Sequence, residues 1–347
     1  MKFAHRYARL VALAAGLLFS GLTLRAQNAG DLRIFFIDVE GGQSTLFVTP
    51  DHHSLLIDTG WPDNNGRDAD RIAAAAKKAG IDHIDDVLLT HYHVDHTGGV
   101  PQLVARIPVG TFIDHGPLRE PGDQPTVDAY NAYQKVLATG KYKHILAQPG
   151  IMLPLSDLSA EIVTTDGLFI ENVTSATPAP NPFCKASAPR PADQTENARS
   201  VGTYFVWGKL RILDLGDLTW DKEMAFLCPV NRLGHVDILI VSHHGWNQSS
   251  SPALVDAITP RVAIMDNGAT KGGSKPTVET LRRIPGLEAF WQLHYSEEAG
   301  PDNAPESFLA NLHGPDTGYG LELTASRSGS ISIYNPRTRA TARYAAH

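Results

Sequence analysis

Residues 91–96 read His-Tyr-His-Val-Asp-His, and they stand between the short apolar run 87–90 and the glycine pair Gly98-Gly99. The apolar run is predicted to be a buried strand and the glycines to open a helix, so the six residues form a loop at a strand end. Such a loop can direct several side chains at one point. Three imidazoles and a carboxylate within six positions suit zinc or a similar borderline divalent ion. This density of ligand-type side chains predicts a metal site.

The sequence around this loop alternates strand-like apolar runs with helix-like segments. Residues 67–79 have a helical composition, and Gly80 follows them as the expected C-terminal cap. Residues 177–197 are rich in Pro, Ala and Asn and are interpreted as a long loop. The pattern predicts one domain built from two sheets covered by helices. Further strands are predicted at 32–38, 44–49, 54–58, 109–113, around 145, and at 151–155, 158–165, 201–207, 210–215, 237–241 and 261–265, with helices at 98–107, 127–139 and 250–258 and a closing hairpin at 319–334.

Four further stretches accompany the histidine loop, and together they carry a resemblance to a known family. They are Asp38-Val39-Glu40-Gly41-Gly42-Gln43, Leu56-Ile57-Asp58-Thr59-Gly60, Leu213-Asp214-Leu215-Gly216-Asp217 and Ser242-His243-His244-Gly245. The chain resembles the metallo-β-lactamase superfamily, whose signature is His-x-His-x-Asp-His, and more narrowly the hydrolase domain of bacterial competence (DNA-uptake) proteins. The resemblance implies an α/β fold, an αββα sandwich of two mixed β-sheets flanked by helices.

The resemblance to the competence proteins is incomplete at two places. Those proteins usually have Asp-Val-Gly-Gln-Gly-Asp at the opening stretch, where this chain has residues 38–43, and an Asp at the position of His93. The departure weighs against a nuclease activity. It also makes the two-metal site more complete in this chain.

The resemblance implies a set of metal ligands and a division of roles among them. His91 and His93 would bind a first metal ion, and Asp95 and His96 a second. Asp217 would bridge the two ions, although an Asp at a strand end is also a common turn former. Asp95 would in addition pass a proton onward, because it would touch both metal and solvent.

His243 and His244 are adjacent residues after the predicted strand 237–241. Successive residues of an extended chain point to opposite sides, so both are not expected to reach the same metal. By resemblance, His243 completes the second metal site, and His244 contacts substrate or donates a proton. The sequence alone leaves the opposite assignment open.

The family usually has one more histidine between the cluster and the bridging aspartate, just before Ser200, but residues 196–199 contain none. His115 is the expected substitute. The strands before His91 and His115 are joined by a predicted helix, and such units are normally parallel, so both strands end at the same sheet edge. The alternative is an ordinary loop histidine. Asp58 is expected to steady the histidine loop rather than bind metal.

The N-terminal residues are expected to direct export. Basic residues precede an apolar run at 10–24 and the small residue Ala26, an order typical of a secretory signal peptide over residues 1–26. An uncleaved N-terminal anchor is the alternative. After residue 26, no segment has the apolar length that a membrane span needs.

Net charge and cysteine content limit which binding partners and which cellular compartment are expected. Removing residues 1–26 takes away four cations and changes the net charge from −7 to −11, which disfavours a nucleic-acid partner without excluding one. Cys184 and Cys228 either pair in an oxidising compartment or stay as buried thiols, and the sequence does not decide between these states.

These observations predict an exported dinuclear metal-dependent hydrolase, periplasmic or secreted, with residues 30–347 as its hydrolase domain. Two divalent ions (zinc first, with manganese or iron(II) as alternatives) would lower the pKa of a shared water and give a metal-bridging hydroxide. A phosphodiester or phosphate ester is the first expected substrate, on the competence-protein resemblance alone. The alternatives are a lactam or lactone hydrolase and a metal-dependent binding protein without turnover. The sequence does not give the oligomeric state.

Overall fold

The computed structural model describes residues 30–347, and the expected signal peptide at residues 1–26 lies outside the described residues. The strands are β1 (Leu32–Phe36), β2 (Thr45–Val48), β3 (Ser54–Ile57), β4 (Ile84–Leu88), β5 (Val109–Asp114), β6 (Lys143–Leu146), β7 (Ser159–Thr165), β8 (Leu168–Phe169), β9 (Ala179–Pro180), β10 (Gly202–Trp207), β11 (Leu210–Asp214), β12 (Val230–Asn231), β13 (Ile238–Ile240), β14 (Val262–Met265), β15 (Ala289–His294), β16 (Leu309–Asn311), β17 (Leu321–Ala325), β18 (Ile331–Asn335) and β19 (Ala340–Tyr344). The α-helices are α1 (Arg67–Ala79), α2 (Val94–Thr97), α3 (Val100–Val104), α4 (Gln124–Leu137), α5 (Trp220–Leu227), α6 (Pro252–Ile258) and α7 (Lys275–Arg282).

Two mixed sheets form the centre of the molecule. The first has nine strands in the order β19-β18-β17-β1-β2-β3-β4-β5-β6, and the second has eight in the order β16-β15-β14-β13-β11-β10-β7-β8. In the first sheet β3 to β6 run parallel, and in the second the parallel strands are β11, β13, β14, β15 and β16. The remaining pairs of these sheets are antiparallel.

The inner faces of the two sheets pack on each other. Alternate residues of β1, such as Ile34 and Phe36, enter this central core, while Phe35 faces the opposite side, as the two-residue period of a strand requires. The rings of Phe47 and Phe205 stack across the two sheets with their centroids 4.6 Å apart. Each fully buried side chain of this kind contributes about 1.5–3 kcal/mol through the hydrophobic effect.

Helices cover the outer face of each sheet. Buried residues of α1, α3 and α4 pack on the first sheet, and those of α5, α6 and α7 pack on the second. The layers therefore follow the order helix, sheet, sheet, helix, which confirms the predicted αββα sandwich. Among the described residues, no helix is both long and apolar enough to cross a membrane.

Several local predictions are confirmed and others are wrong. Helix α1 has the predicted bounds and ends at Gly80, whose φ of 81° is the left-handed conformation that glycine adopts without strain. The predicted strand at 151–155 is absent, because only Met152 forms an isolated bridge there. The predicted helix at 98–107 is shorter in the structure, α3 at Val100–Val104, and α2 at Val94–Thr97 was not predicted. Short elements occur within the predicted loop 177–197, namely β9 and the 3-10 helix Pro182–Ala186.

Cys184 and Cys228 form a disulfide bond. The bond joins the 3-10 helix Pro182–Ala186 to the residue that follows α5. Of the two states that the sequence left open, the structure has the paired one.

Candidate metal centre

The loops that follow β3, β4, β11 and β13 meet at one edge of the two-sheet sandwich. Backbone hydrogen bonds connect these loops to one another: Thr59 N–H donates to the carbonyl of His96 at 2.7 Å, and His243 N–H donates to that of Gly216 at 3.1 Å. Parallel strands end at the same edge, so the loops are brought together by the sheet topology itself. Side chains that are distant in sequence therefore converge on one point.

Glycines allow the histidine loop to lie close to its neighbours. A Cβ atom at Gly99 would stand 2.1 Å from the carbonyl oxygen of Thr59, and one at Gly42 would stand 2.3 Å from that of Asp95. Only glycine fits such close backbone approaches. Since α2 begins directly after His93, Asp95 and His96 lie in its first turn.

Asp95, His96 and His244 form one cluster of buried side chains, with a ligand atom from each within 4.8 Å of the others. The Nε2 atoms of His96 and His244 are 3.1 Å apart. Asp95 Oδ2 lies 3.3 Å from the first of them and 3.2 Å from the second. Two facing ring nitrogens can share only one proton, whereas a cation between them would be bound by both.

A second cluster contains His91, His96 and Asp217. Nδ1 of His93 also faces this space, 3.1 Å from Nε2 of His91. Asp217 lies between the two clusters, because its Oδ2 is 3.8 Å from His91 Nε2, 3.3 Å from His96 Nε2 and 3.4 Å from His244 Nε2. Its other oxygen, Oδ1, is buried and has no hydrogen-bond partner. Asp217 therefore lies close to ring nitrogens of both clusters.

The two adjacent histidines differ from the sequence expectation. It is His244, not His243, that enters the cluster with Asp95 and His96. Both residues have positive φ, 56° for His243 and 52° for His244, so the chain turns here and the alternation of an extended strand does not apply. His243 belongs to neither cluster, and its Nε2 lies 3.5 Å from Asp217 Oδ2 and 3.3 Å from the Asn197 amide nitrogen.

His115 does not join either cluster. The parallel pairing of β4 and β5 is as predicted, but the side chain of His115 lies 2.9 Å from the carboxylate of Glu196. Glu196 is fully buried and also accepts the backbone N–H groups of Tyr92 and Arg119. A buried carboxylate needs such partners, which explains why His115 turns toward it. The expectation that His115 supplies a metal ligand is therefore not supported by its position.

A carboxylate stands behind three of the clustered histidines. Asp58 Oδ2 lies 2.7 Å from Nδ1 of His96 and accepts the hydroxyl of Thr90, which is the supporting position that the family resemblance implies. Glu120 Oε2 is 3.0 Å from Nε2 of His93. Asp266 Oδ1 is 3.5 Å from Nδ1 of His244. The Asp58 and Glu120 carboxylates thus fix their rings so that the opposite nitrogen faces the clusters, whereas Asp266 approaches His244 without a hydrogen bond.

Glu120 and Asp266 were not identified from the sequence. Glu120 lies in the loop after β5, and Asp266 directly follows β14. The position of Asp266 at the carboxyl end of β14 could have indicated it, because β14 runs parallel to β13 and both strands end at the same sheet edge. No motif marks Glu120.

The electrostatics of the clusters favour a cation. Burial opposes ionisation of Asp95, but the Lys271 ammonium and His96 hold the pKa of that carboxyl well below its usual value. Burial likewise opposes ionisation of Asp217, yet His244 and His96 hold its pKa well below the ordinary range. Burial lowers the pKa of His91 far below its usual value, so this ring is neutral. Zinc, manganese or iron(II) bind to ionised carboxylates and neutral imidazoles, so His96 and His244, whose pKa values Asp217 raises against the effect of burial, would release a proton when metal binds.

The lysine in this set, Lys271, was also missed by sequence reasoning. Its Nζ lies 2.6 Å from Asp95 Oδ2 and 5.6 Å from the centre of the Trp61 ring. It belongs to the loop between β14 and α7, which carries no motif.

A third group of potential ligand atoms comprises Asp38, Glu40 and His294. Asp38 lies 2.7 Å from His294 Nε2 and accepts the backbone N–H of Glu40 and the guanidinium of Arg71. These bonds account for the Asp38 carboxylate without a metal ion. His294 is part of this hydrogen-bond network around Asp38.

Comparison with known proteins identifies the family. Residues 38–182 match the model of the metallo-beta-lactamase superfamily. The competence protein ComA of Neisseria gonorrhoeae is 24% identical over 71% of this chain and 28% of its own length. The ComE operon protein 3 of Bacillus subtilis is also 24% identical, over 72% of this chain and 30% of its own. A hydroxyacylglutathione hydrolase of Albidiferax ferrireducens is 32% identical over 30% of this chain and 36% of its own.

These matches confirm the predicted resemblance, including the narrower one to competence proteins. This chain contains a metallo-β-lactamase superfamily domain with that family's fold. It spans about a third of the length of each of these three relatives.

Proposed function

We propose that this metallo-β-lactamase-fold chain is an exported hydrolase that holds two divalent metal ions and cleaves a phosphodiester or phosphate ester. Members of the superfamily are mostly hydrolases. The observation that carries the proposal is the position of Asp217. One of its oxygens lies within 3.8 Å of ring nitrogens from both clusters, as a carboxylate shared by two ions requires.

The first ion would be held by His91 Nε2, His93 Nδ1 and Asp217. His243 would supply a third nitrogen, because its Nε2 lies 3.5 Å from Asp217 Oδ2 and is not part of the Asp95, His96 and His244 cluster. This assignment puts His243 in the role that the family gives to a histidine before Ser200. Burial lowers the pKa of His243 to about 4, so the ring is neutral and its lone pair is available.

The second ion would be held by Asp95, His96, His244 and Asp217. The substrate-contacting role that the sequence predicted for His244 is not retained, because this residue is buried within the cluster. When bound, a pair of divalent ions lowers the pKa of water and polarises the oxygen of the bond to be cleaved. Zinc is the first choice for this set of nitrogen and oxygen ligands.

The remaining residues of the site orient the metal ligands. Asp58 and Glu120 hold the rings of His96 and His93, and backbone hydrogen bonds connect the loops after β3 and β4. Asp95 accepts a hydrogen bond from Lys271 at Oδ2, and because its pKa lies well below the usual value it would carry a proton only in transit between bound water and solvent. A rigid arrangement of this kind lowers the cost of organising the site during the reaction.

The preference for phosphoesters is supported by the competence-protein relatives, which are similar over most of this chain. The test is elemental analysis of the purified protein followed by hydrolysis assays with bis(4-nitrophenyl) phosphate and 4-nitrophenyl phosphate. We expect about two metal ions per chain and turnover that a chelator abolishes. Metal-loaded protein that cleaves neither compound would contradict the proposal.

A second candidate function is the hydrolysis of a thioester, lactone or lactam. The relative named hydroxyacylglutathione hydrolase supports it, although the similarity covers less than a third of this chain. A thioester, a lactone and a cephalosporin therefore belong in the same assay panel. Turnover of one of these without turnover of the phosphoesters would favour the second candidate, and metal binding without any turnover would favour a binding protein.

Export is part of the proposal and has its own test. The disulfide Cys184–Cys228 supports an oxidising compartment. Residues 1–29 fused to a reporter phosphatase that is active only outside the bacterial cytoplasm should give reporter activity. A reporter that stays inactive would argue against export, and a fusion lacking residues 2–26 is the matched control.

A further inference from the structure

Lys271 has a position that metal binding alone does not explain. Its ammonium lies 2.6 Å from Asp95 Oδ2, the oxygen that also faces His96 and His244. Within residues 30–347, it is the one lysine or arginine that pairs with a carboxylate of the two clusters. A positive charge beside a metal ligand opposes the binding of divalent cations. The protein thus keeps a cation where it weakens its own proposed metal site.

The loop that carries Lys271 is fixed to the site at several points. Gly273 N–H donates to the carbonyl of His244 at 2.8 Å, and Ser274 N–H donates to that of Gly245 at 3.0 Å. A Cβ atom at Gly272 would stand 2.1 Å from the carbonyl oxygen of His244, so this residue must be glycine. Within the loop, Gly268 N–H donates to the carbonyl of Lys271 at 2.8 Å. The position of Lys271 is therefore built into the fold.

The surroundings of Lys271 leave its ammonium open to a ligand. The side chain is 29% exposed, whereas that of Asp95 is 8% exposed. The ring of Trp61 lies beside the ammonium and is only partly buried. A bound anion would thus have a cation and an aromatic surface on the same side of the site.

Charge balance indicates what kind of ligand this is. Two divalent ions bring four positive charges, and Asp95 and Asp217 together compensate two of them. Lys271 adds a further positive charge, which a neutral substrate would leave uncompensated. An anionic substrate would be attracted to both the ions and the ammonium.

We infer that Lys271 binds an anionic group of the substrate, either a phosphoester oxygen or a carboxylate next to the bond that is cleaved. This inference rests on the proposed function and narrows its substrate class to anions. Lys271 is in this sense a specificity-determining residue. It would form a charge-assisted hydrogen bond with the ligand while Asp95 remains bound to metal.

The test is a calorimetric titration of zinc-loaded protein with phenylphosphonate and, separately, with benzoate. The variants are Lys271→Met, which removes the charge at similar length, and Lys271→Arg, which keeps it. Lys275→Met is the matched control, because Lys275 pairs with Asp302 at the start of α7 and does not contact either cluster. Metal content is measured for each protein.

We expect Lys271→Met to weaken binding of at least one anion about tenfold or more, the usual value of a hydrogen bond to a charged group. Lys271→Arg should stay within about threefold of the wild type, and Lys275→Met should match it. Phenylphosphonate as the affected probe would identify a phosphoester, and benzoate a carboxylate. Unchanged anion affinity in Lys271→Met would overturn the inference, as would wild-type protein that binds neither probe.

Two outcomes separate this inference from the proposed function. Lys271-dependent binding of phenylphosphonate without hydrolysis of any substrate would support the inference and reject the hydrolase. In another outcome, Lys271→Met changes the metal content but leaves the anion affinity per loaded site unchanged. Lys271 would then be only a counterion of Asp95, and the inference would be rejected.

Discussion

Nε2 of His96 and Nε2 of His244 face each other at 3.1 Å, although 148 positions separate the two residues. His96 follows a strand of the first sheet, and His244 follows a strand of the second. The proposed second ion is therefore bound by both sheets. His243, the neighbour of His244, faces the proposed first ion, so adjacent residues would serve different ions.

This division predicts which double variants keep a metal ion. His93→Ala combined with His243→Ala should lose the first ion and retain about one per chain, because both changes affect the same ion. His243→Ala combined with His244→Ala should retain close to none. Elemental analysis after dialysis measures both. Equal metal content in the two double variants would refute the assignment of His243.

Asp217→Asn should reduce binding of both ions, because it removes the negative charge that the two clusters share. We expect metal content well below one ion per chain and loss of most activity, with circular dichroism unchanged. Asp82→Asn is the matched control, because this carboxylate is 98% exposed and belongs to neither cluster. If Asp217→Asn kept both ions, the bridging role would belong elsewhere.

Glu120→Ala should weaken binding of the first ion without removing any of its ligands. The carboxylate lies 3.0 Å from His93 Nε2 and fixes the ring so that Nδ1 faces His91. Loss of such a supporting carboxylate typically lowers metal affinity about 10- to 100-fold. Glu120→Gln keeps an acceptor oxygen and should recover most of that affinity in a competition with a zinc chelator. A Gln variant as weak as the Ala variant would contradict an orienting role.

Glu223 should make stability fall as the pH rises. Glu223 lies in α5, its fully buried carboxylate accepts the backbone N–H groups of Ser250 and Ser251 just before α6, and burial raises its pKa from 4.5 to about 7. Since the folded protein holds this proton more tightly, the stabilisation is complete below pH 4.5 and is lost as the pH passes 7. Relative to Glu223→Gln, the wild type should lose about 3 kcal/mol of unfolding free energy over that range.

Urea unfolding of both proteins at several pH values between 4.5 and 8 measures this difference. Other titrating groups are common to the two proteins, so they cancel. Glu279→Gln, which replaces an exposed carboxylate on α7, is the control and should show the same pH dependence of the unfolding free energy as the wild type. A constant difference between the wild type and Glu223→Gln would show that Glu223 does not titrate in this range.

Replacing both Cys184 and Cys228 by Ser should lower the free energy of unfolding by about 3–4 kcal/mol, because the disulfide restricts the unfolded chain. The bond closes a sequence separation of 44 residues. Denaturant unfolding measures the change, and wild-type protein unfolded under reducing conditions should lose a similar amount. A loss below about 0.5 kcal/mol would mean that the disulfide adds little.

The sequence predicted the layers, the family and the convergence of the histidine loop with Asp217. These predictions depend on local signals, such as apolar runs that end at ligand-type side chains, and on the rule that parallel strands end at one edge. The helix α1 was predicted with its observed bounds because Gly80 marks its end.

The sequence could not place side chains whose direction depends on tertiary contacts. His115 turns to Glu196, a residue 81 positions away, and nothing near His115 in the sequence indicates that partner. The resemblance assigned His243 to the second metal, but the chain turns at both residues and His244 lies with Asp95 and His96 instead. Lys271, Glu120 and Asp266 lie outside any motif, so only the folded structure shows their contacts.

Because the ligands of each proposed ion come from segments that are far apart along the chain, no short fragment of this protein contains a complete site. Bound metal would connect the two sheets of the sandwich. Metal binding should therefore slow the separation of the sheets under heat or mechanical force. A nascent chain would gain its full affinity only after residues near position 244 have joined the rest. Metal capture would thus report the completion of folding.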